Sequence, residues 1–244
     1  MASHSGKKVL WVHGHPRGGS LNHQLVQAGS ETLGHVADLT VVDLHAVGWN
    51  PVLSVDELAG VTPDDVAEQQ QLVRDADLLV VQFPMWWHSM PAIVKGWFDR
   101  VFAKGFAFGI KDPRTGRTLK MGDGGLVGRR ALTIVTAGDR PSSFAARGIN
   151  GDVDLLLFGL LHGTFWYSGI APLEPHLIAG TDQPGWDGAE TEISRLAGRL
   201  RGVFGEPPIP YRTLASGDYG ADRILDPGIA PRESGPAIHV RCCG

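Results

Sequence analysis

Short blocks of consecutive apolar residues alternate along this chain with stretches whose apolar positions recur every three or four residues. The run Lys8–His13 (Lys-Val-Leu-Trp-Val-His) ends in a loop of Gly, Pro and Ser. That pattern predicts a central parallel strand covered on both faces. Leu39–Leu44, Leu78–Phe83 and Arg130–Thr136 read as further strands, and a fifth is expected near Ile170–Leu173. Between them, residues 20–33 predict a helix capped by Ser20 or Asn22. Asp64–Asp75 predicts another, since Pro63 suits a first-turn position. After Pro91 the positions Ile93, Val94, Trp97, Phe98, Val101 and Phe102 recur at helical spacing and give one apolar face. Helices are also expected from about Gly151 and over 187–204. Residues 105–128 are rich in Gly and basic groups and read as an excursion, with a hairpin around Asp112–Gly116. Strands alternating with helices predict an α/β domain, a doubly wound five-stranded parallel sheet with helices on both faces.

This domain is expected to span residues 1–204. Residues 205–244 differ, with Pro207, Pro208, Pro210, Pro227, Pro231 and Pro236 among several glycines. The tail is read in two ways: a loose end, or an arm lying over a partner subunit. In the second reading Tyr211, Leu214, Tyr219, Ile224 and Leu225 are its anchors.

Composition narrows the class without naming a chemistry. The 244 residues are 43% hydrophobic and 20% charged, ordinary for a folded domain. A net charge of −4 gives no footprint for nucleic acid or an anionic membrane. No apolar run approaches the roughly 18 residues of a membrane span. The start of the chain leads straight into a strand rather than a signal-peptide core. Cys242 and Cys243, the only cysteines, are adjacent and cannot staple distant segments. A cytoplasmic location is the economical expectation.

Three predicted strand-to-helix loops carry candidate chemistry, because ligands of open parallel sheets bind beyond the carboxyl ends of the strands. The first is His15-Pro16-Arg17-Gly18-Gly19-Ser20-Leu21-Asn22, whose amides at a helix start suit a phosphate. It has neither the three-glycine dinucleotide spacing nor a P-loop ending. His13 and His15 are metal ligands by residue type, yet no third ligand stands with them in sequence. Loop structure is therefore the expected role of His13, and no metal is expected. The second loop is Pro84-Met85-Trp86-Trp87-His88-Ser89, whose indoles need covering by a ligand or by core. The third is Thr136-Ala137-Gly138-Asp139-Arg140-Pro141-Ser142, small enough for close backbone approach to a planar ring.

Taken together, residues 8–204 resemble the flavodoxin-like NAD(P)H:quinone oxidoreductases, the DT-diaphorase-like family. The resemblance rests on Ala67-Glu68-Gln69, Gln82-Phe83-Pro84, the long run Pro91–Phe102, and Phe106-Ala107. Gly148–Asp152 and Pro172–Pro175 extend it. It implies a flavodoxin-like fold and a homodimer with FAD at each interface, with FMN as the alternative. It also implies NADH or NADPH as donor and a quinone or polycyclic aromatic acceptor that uses the same pocket in turn. By position, His15, Ser20, Leu21 and Asn22 match the first flavin loop. Pro84, Met85, Trp86, Trp87 and His88 match the stretch along the isoalloxazine ring. Thr136, Ala137, Gly138 and Asp139 match the segment at its pyrimidine side. Phe108 and Ile110 fall where the family has two tyrosines over the substrate, and Trp166 and Tyr167 near an aromatic pocket wall.

Two departures bear on mechanism. Where the family manages charge and protons with a Tyr and a His, this chain has Phe144 and Asn150. Neither titrates near neutral pH. Flavin reduction is expected to survive, because the cofactor carries the hydride chemistry. The anionic reduced ring would then be stabilised near Gly138 and Arg140, and Asn150 would donate to a substrate carbonyl. The alternative functions are a tailoring reductase of an aromatic metabolite's quinone or enone, and a flavin-binding redox sensor that regulates a partner. A one-electron shuttle would be shorter and more acidic.

Overall fold

Alternation along each strand decides which side of the sheet a side chain faces. In β1 (Lys8–His13) of the computed structural model, which describes residues 6–241, Val9 and Trp11 enter one core and Leu10 and Val12 the other. Cys242 and Cys243 lie outside the described residues. β1 is flanked by β2 (Asp38–Asp43) and β3 (Leu78–Pro84), and β3 by β4 (Arg130–Ala137), all parallel. The sheet order is β2-β1-β3-β4, with β5 (Ala171–Pro172) and β6 (His176–Ala179) both pairing with β4. Every residue of β3 is buried, as expected for a strand between two helical layers.

The expected fifth strand is thus two short strands along one edge. Pro175 has no N–H to donate and breaks the ladder. Pairing resumes with His176 opposite Ile134, in a segment the sequence pattern did not mark as a strand.

α1 (Leu21–Gly34) and α6 (Ala189–Leu200) cover one face, where Leu25, Leu33, Leu196 and Leu200 meet Trp11 and Val80. α2 (Val55–Leu58) is a single turn closed by a capping box between Ser54 and Glu57. α3 (Asp64–Asp75), α4 (Ala92–Val101) and α5 (Val153–Leu160) cover the other face through Val66, Val73, Val94, Trp97, Val101 and Leu157. Fully burying one such side chain is worth about 1.5–3 kcal/mol, so these two layers dominate the stability. Arg100 of α4 is held by Glu57 at 2.7 Å and Asp65 at 2.8 Å. α5 runs on through Leu161–Trp166 as a π-helical turn. The excursion makes the expected hairpin, with Lys111 bridged to Thr118 and the Asp112 carboxylate accepting from Arg114 and Thr115 N–H.

The tail is a strap on its own chain rather than a loose end. Ile209 N–H donates to Pro172 O at 2.8 Å, and Leu214 N–H to Met121 O at 3.2 Å. Ile209 and Tyr211 are buried in the same core as α4 and α5. Tyr219 bridges Leu225, while the Ile224 side chain, expected as an anchor, is exposed in the single chain.

Candidate active site

Parallel register places the carboxyl ends of β1, β3 and β4 side by side, so the three predicted loops meet at one edge of the sheet. They enclose a cleft of about 220 Å³ lined by His15, Arg17, Ser20, Leu21 and Asn22 from the first loop, and by Pro84, Met85 and Trp86 from the second. Thr136 and Gly138 come from the third. Ala137, by contrast, is buried in β4 and is not among the residues that line this cleft.

The loops are locked together from below by a buried polar network. Gln82 of β3 accepts from Trp11 Nε1 at 3.1 Å and donates Nε2 to the Asn22 carbonyl at 2.8 Å and to Asn22 Oδ1 at 3.1 Å. Asn22 Nδ2 donates to Thr136 Oγ1 at 2.9 Å. The side chain of Asn22 is therefore occupied in joining the first loop to the third. Leaving one of these buried groups unpaired would cost about 1–3 kcal/mol. Gln82 is a positioning residue that pattern reasoning passed over as strand.

At Gly138 the missing side chain matters to the fold: a Cβ there would stand 2.1 Å from Asp182 Oδ2. Its smallness serves the segment after β6, which donates back through Thr181 N–H to Ala137 O and Asp182 N–H to Gly138 O, each at 3.2 Å. Thr181, Asp182 and Trp186 complete the cleft wall. The turn run Gly180-Thr181-Asp182-Gln183-Pro184-Gly185 was the available signal for them.

The second loop is a tight turn closed by Trp86 N–H to Ser89 O (2.9 Å) and Ser89 N–H to Trp86 O (3.0 Å). Its central residues, Trp87 and His88, have φ of 52° and 58°. Left-handed backbone at two adjacent non-glycine residues costs of order 1–3 kcal/mol each and clusters at functional sites. Trp86 is half-exposed on the cleft wall, whereas Trp87 is fully exposed and His88 lies off the cleft.

The residues expected around a substrate are dispersed within one chain. Phe108 lines a second cleft of about 450 Å³ between α4 and α5, of mixed polar and apolar lining. Tyr167 lines a third hollow of about 290 Å³ beside Lys120, Arg212 and Tyr219. Trp166 donates Nε1 to Arg212 O at 2.9 Å beneath the tail, and Ile110 packs against Gly125. Phe144 is buried at the end of a 3-10 turn (Pro141–Phe144), so it serves packing. Asn150 donates Nδ2 to Asp139 Oδ2 at 2.9 Å. The N–H of Arg140, and next the Asn150 amide, hold the Asp139 carboxyl below the usual carboxylate range.

The first loop offers donors without competing acid. Ser20 caps α1 by accepting from His23 N–H, and the first turn of α1 carries no acidic residue, unlike those of α2, α3, α5 and α6. Such a helix start favours an anion. Nδ1 of His15 lies 3.2 Å from Arg17 N–H and 3.1 Å from the Ser20 hydroxyl. Accepting both leaves the ring proton on Nε2. Burial holds the His15 pKa below the ordinary histidine value.

A family model described as the flavodoxin-like fold matches residues 7–201. The chain belongs to the flavodoxin-like family. Among the family's curated members, a ribosyldihydronicotinamide dehydrogenase-like protein, traD, from Penicillium crustosum is 33% identical over 87% of this chain and 86% of its own length. The mouse (Mus musculus) ribosyldihydronicotinamide dehydrogenase [quinone] is 32% identical over 84% of this chain and 95% of its own. A Klebsiella pneumoniae protein assigned as a quinone reductase superposes with a TM-score of 0.90 at 34% identity, covering 97% of this chain and all of its own. The flavodoxin-like fold places the anion-ready loop, the indole corner and the third turn at one edge of the sheet. Among the described residues, no helix is long and apolar enough to cross a membrane.

Proposed function

We propose that this flavodoxin-like chain is a cytoplasmic, flavin-dependent NAD(P)H:quinone oxidoreductase that works as a homodimer by a two-step, ping-pong exchange of two electrons. The observation that carries the reading is the convergence of the three loops on one cleft, with an acid-free helix start at one end and Trp86 on its wall. The flavin would supply the hydride acceptor and donor. The start of α1, with His15 Nε2–H and Arg17, would bind its phosphate, FAD being the first expectation and FMN the alternative. Pro84, Met85 and Trp86 would support the ring, and the turn at 87–88 would present Trp87 over its edge. Gly138 and Asp139 would sit at the polar side of the ring, with Asp139 holding Asn150 so that its second amide N–H faces an acceptor carbonyl. Phe144 brings no proton to this chemistry.

A second copy of the chain would complete the pocket. Trp87, Phe108, Ile149 and Leu155 are exposed in the single chain and would be covered by that copy. Phe108, Ile110, Trp166 and Tyr167 would then form an apolar substrate wall suited to polycyclic aromatic quinones, and the outer side of the tail would face the partner.

One set of experiments tests this reading. The purified protein should be yellow and dimeric by light scattering, and should release a flavin in acid that mass measurement identifies. It should oxidise NADH, NADPH or dihydronicotinamide riboside with benzoquinones, giving parallel double-reciprocal lines. A colourless monomer whose added FAD or FMN fluorescence is not quenched overturns the proposal. Flavin binding without turnover on any donor would leave the redox-sensor function in its place.

A further inference from the structure

Beneath the first loop lies a cluster that the proposed redox chemistry does not use. His13 and Asp43 are the last residues of the neighbouring strands β1 and β2, and parallel register sets them directly side by side. His23 projects from the first turn of α1, its ring edge-on to that of His13 with centroids 4.7 Å apart. One donor atom from each of His13, His23 and Asp43 lies within 4.8 Å of the others. Nitrogen and oxygen donors in tetrahedral array around one zinc ion, bound at about 2.0–2.2 Å, stand roughly 3.3–3.6 Å apart. His23 and Asp43 are already at that spacing, and the widest pair would close by about 1 Å.

His13 is the independent sign that something belongs there. Its ring is 1% exposed, yet neither Nδ1 nor Nε2 has a hydrogen-bond partner. A buried imidazole with both nitrogens orphaned calls for a water or an ion.

The other two ligands are already oriented. Asp43 Oδ1 accepts from His45 N–H at 3.0 Å and Ala46 N–H at 3.1 Å, and Oδ2 is turned to His23 Nε2 at 3.2 Å. His23 Nδ1 stands 3.2 Å from the Ser20 hydroxyl, which fixes its tautomer with Nε2 toward the cluster. Metal-binding histidines are characteristically held this way by a hydrogen bond at the second ring nitrogen.

We propose that His13, His23 and Asp43 form a binding site for one divalent transition-metal ion of the zinc class, seated under the first loop of the cleft. Two imidazoles and a carboxylate suit such an ion rather than calcium or magnesium, which take oxygen ligands. The ion would tie the ends of β1 and β2 to the start of α1. Its role is structural, and Ser20 passes its placement on to His15.

The test uses the full-length protein, free of any affinity tag and stripped with EDTA, both with its flavin and after flavin removal. Failure of the metal site and failure of the redox reading are thereby separate results. Titration with Co²⁺ should give one equivalent of visible d–d absorption that Zn²⁺ abolishes, and Zn²⁺ should raise the thermal midpoint. His23→Gln and Asp43→Asn alter partly exposed residues and should fold, as circular dichroism would verify. Each should weaken Co²⁺ binding at least about tenfold. Equal metal uptake by the wild type and both variants overturns the site, because the metal would then reside on surface histidines. Absence of cobalt absorption in the wild type also overturns it, and a water molecule then satisfies His13.

Discussion

The cleft and the tail are both built from glycine- and proline-rich segments, yet they are held by opposite means. At the cleft, Trp11, Asn22, Gln82 and Thr136 join four elements through side chains that are at most 5% exposed. The tail lies on the surface and is fixed by scattered backbone bonds, by Ile209 and Tyr211 in the core and by a ring of histidine, tyrosine and arginine contacts. A loop that must hold a ligand to a fraction of an ångström needs supports whose own rotamers are locked. A strap that only covers a surface does not. The buried network should be costly to break and indifferent to pH. The tail should be cheaper to disturb and sensitive to acid.

The largest effect is expected on the cleft side. Gln82→Leu fits the space but strands Trp11 Nε1 and Asn22 Oδ1 without partners. Each buried orphan costs about 1–3 kcal/mol, so urea titration should show a loss of about 2–6 kcal/mol. Because Asn22, which holds Thr136, then loses its own support from Gln82, flavin retention should fall further than stability alone dictates. A variant as stable as wild type with undiminished flavin content would show that the loops position themselves.

The two regions also differ in how much of them the sequence made legible. The strands before each loop are continuous apolar blocks, so β1, β3 and β4 and the positions of their loops could be read from pattern alone. The wall formed by Thr181, Asp182 and Trp186 was legible only as a turn, because β6, which carries it to the cleft, is four residues long and begins with a histidine. Gln82 was legible as strand but not as support, since its partners Trp11 and Asn22 come from distant segments. Neighbours in sequence likewise supplied no third ligand beside His13 and His15, because Asp43 and His23 reach the cluster only through sheet register and helix packing. The tail resisted for another reason. Its bonds are single and irregular, and no periodicity records which carbonyl a given N–H will find.

A second, smaller effect should separate the regions by pH. His162, on the π-helical turn, stacks against Phe158 at 4.7 Å and stands 5.4 Å from His239 of the tail. Burial first, and then repulsion from His239, lower its pKa to about 4. His239 is lowered too, by burial and then by Arg212. The docked tail therefore binds fewer protons than the released one between pH 6.5 and about 4. Its docking is fully stable above pH 6.5 and weakens as pH falls through that window. Hydrogen exchange should show residues 206–241 losing protection by pH 4.5, while amides around Gln82, whose network contains no titrating group, keep theirs. Equal loss in both regions would mean that acid acts on the whole fold.

The smallest effect tests one bond of the strap. Tyr219 Oη lies 2.9 Å from Nδ1 of His239, and their rings stack with centroids 5.9 Å apart. Tyr219→Phe keeps the ring and removes the hydroxyl. Since the pair is only half-buried, water can replace what is lost, and the cost should be about 0.5–1.5 kcal/mol. That cost should register as faster proteolysis within 206–241, with flavin content and overall unfolding unchanged. If cofactor binding falls as well, the tail is coupled to the cleft rather than merely laid over the fold, and the contrast between locked loop and simple strap fails.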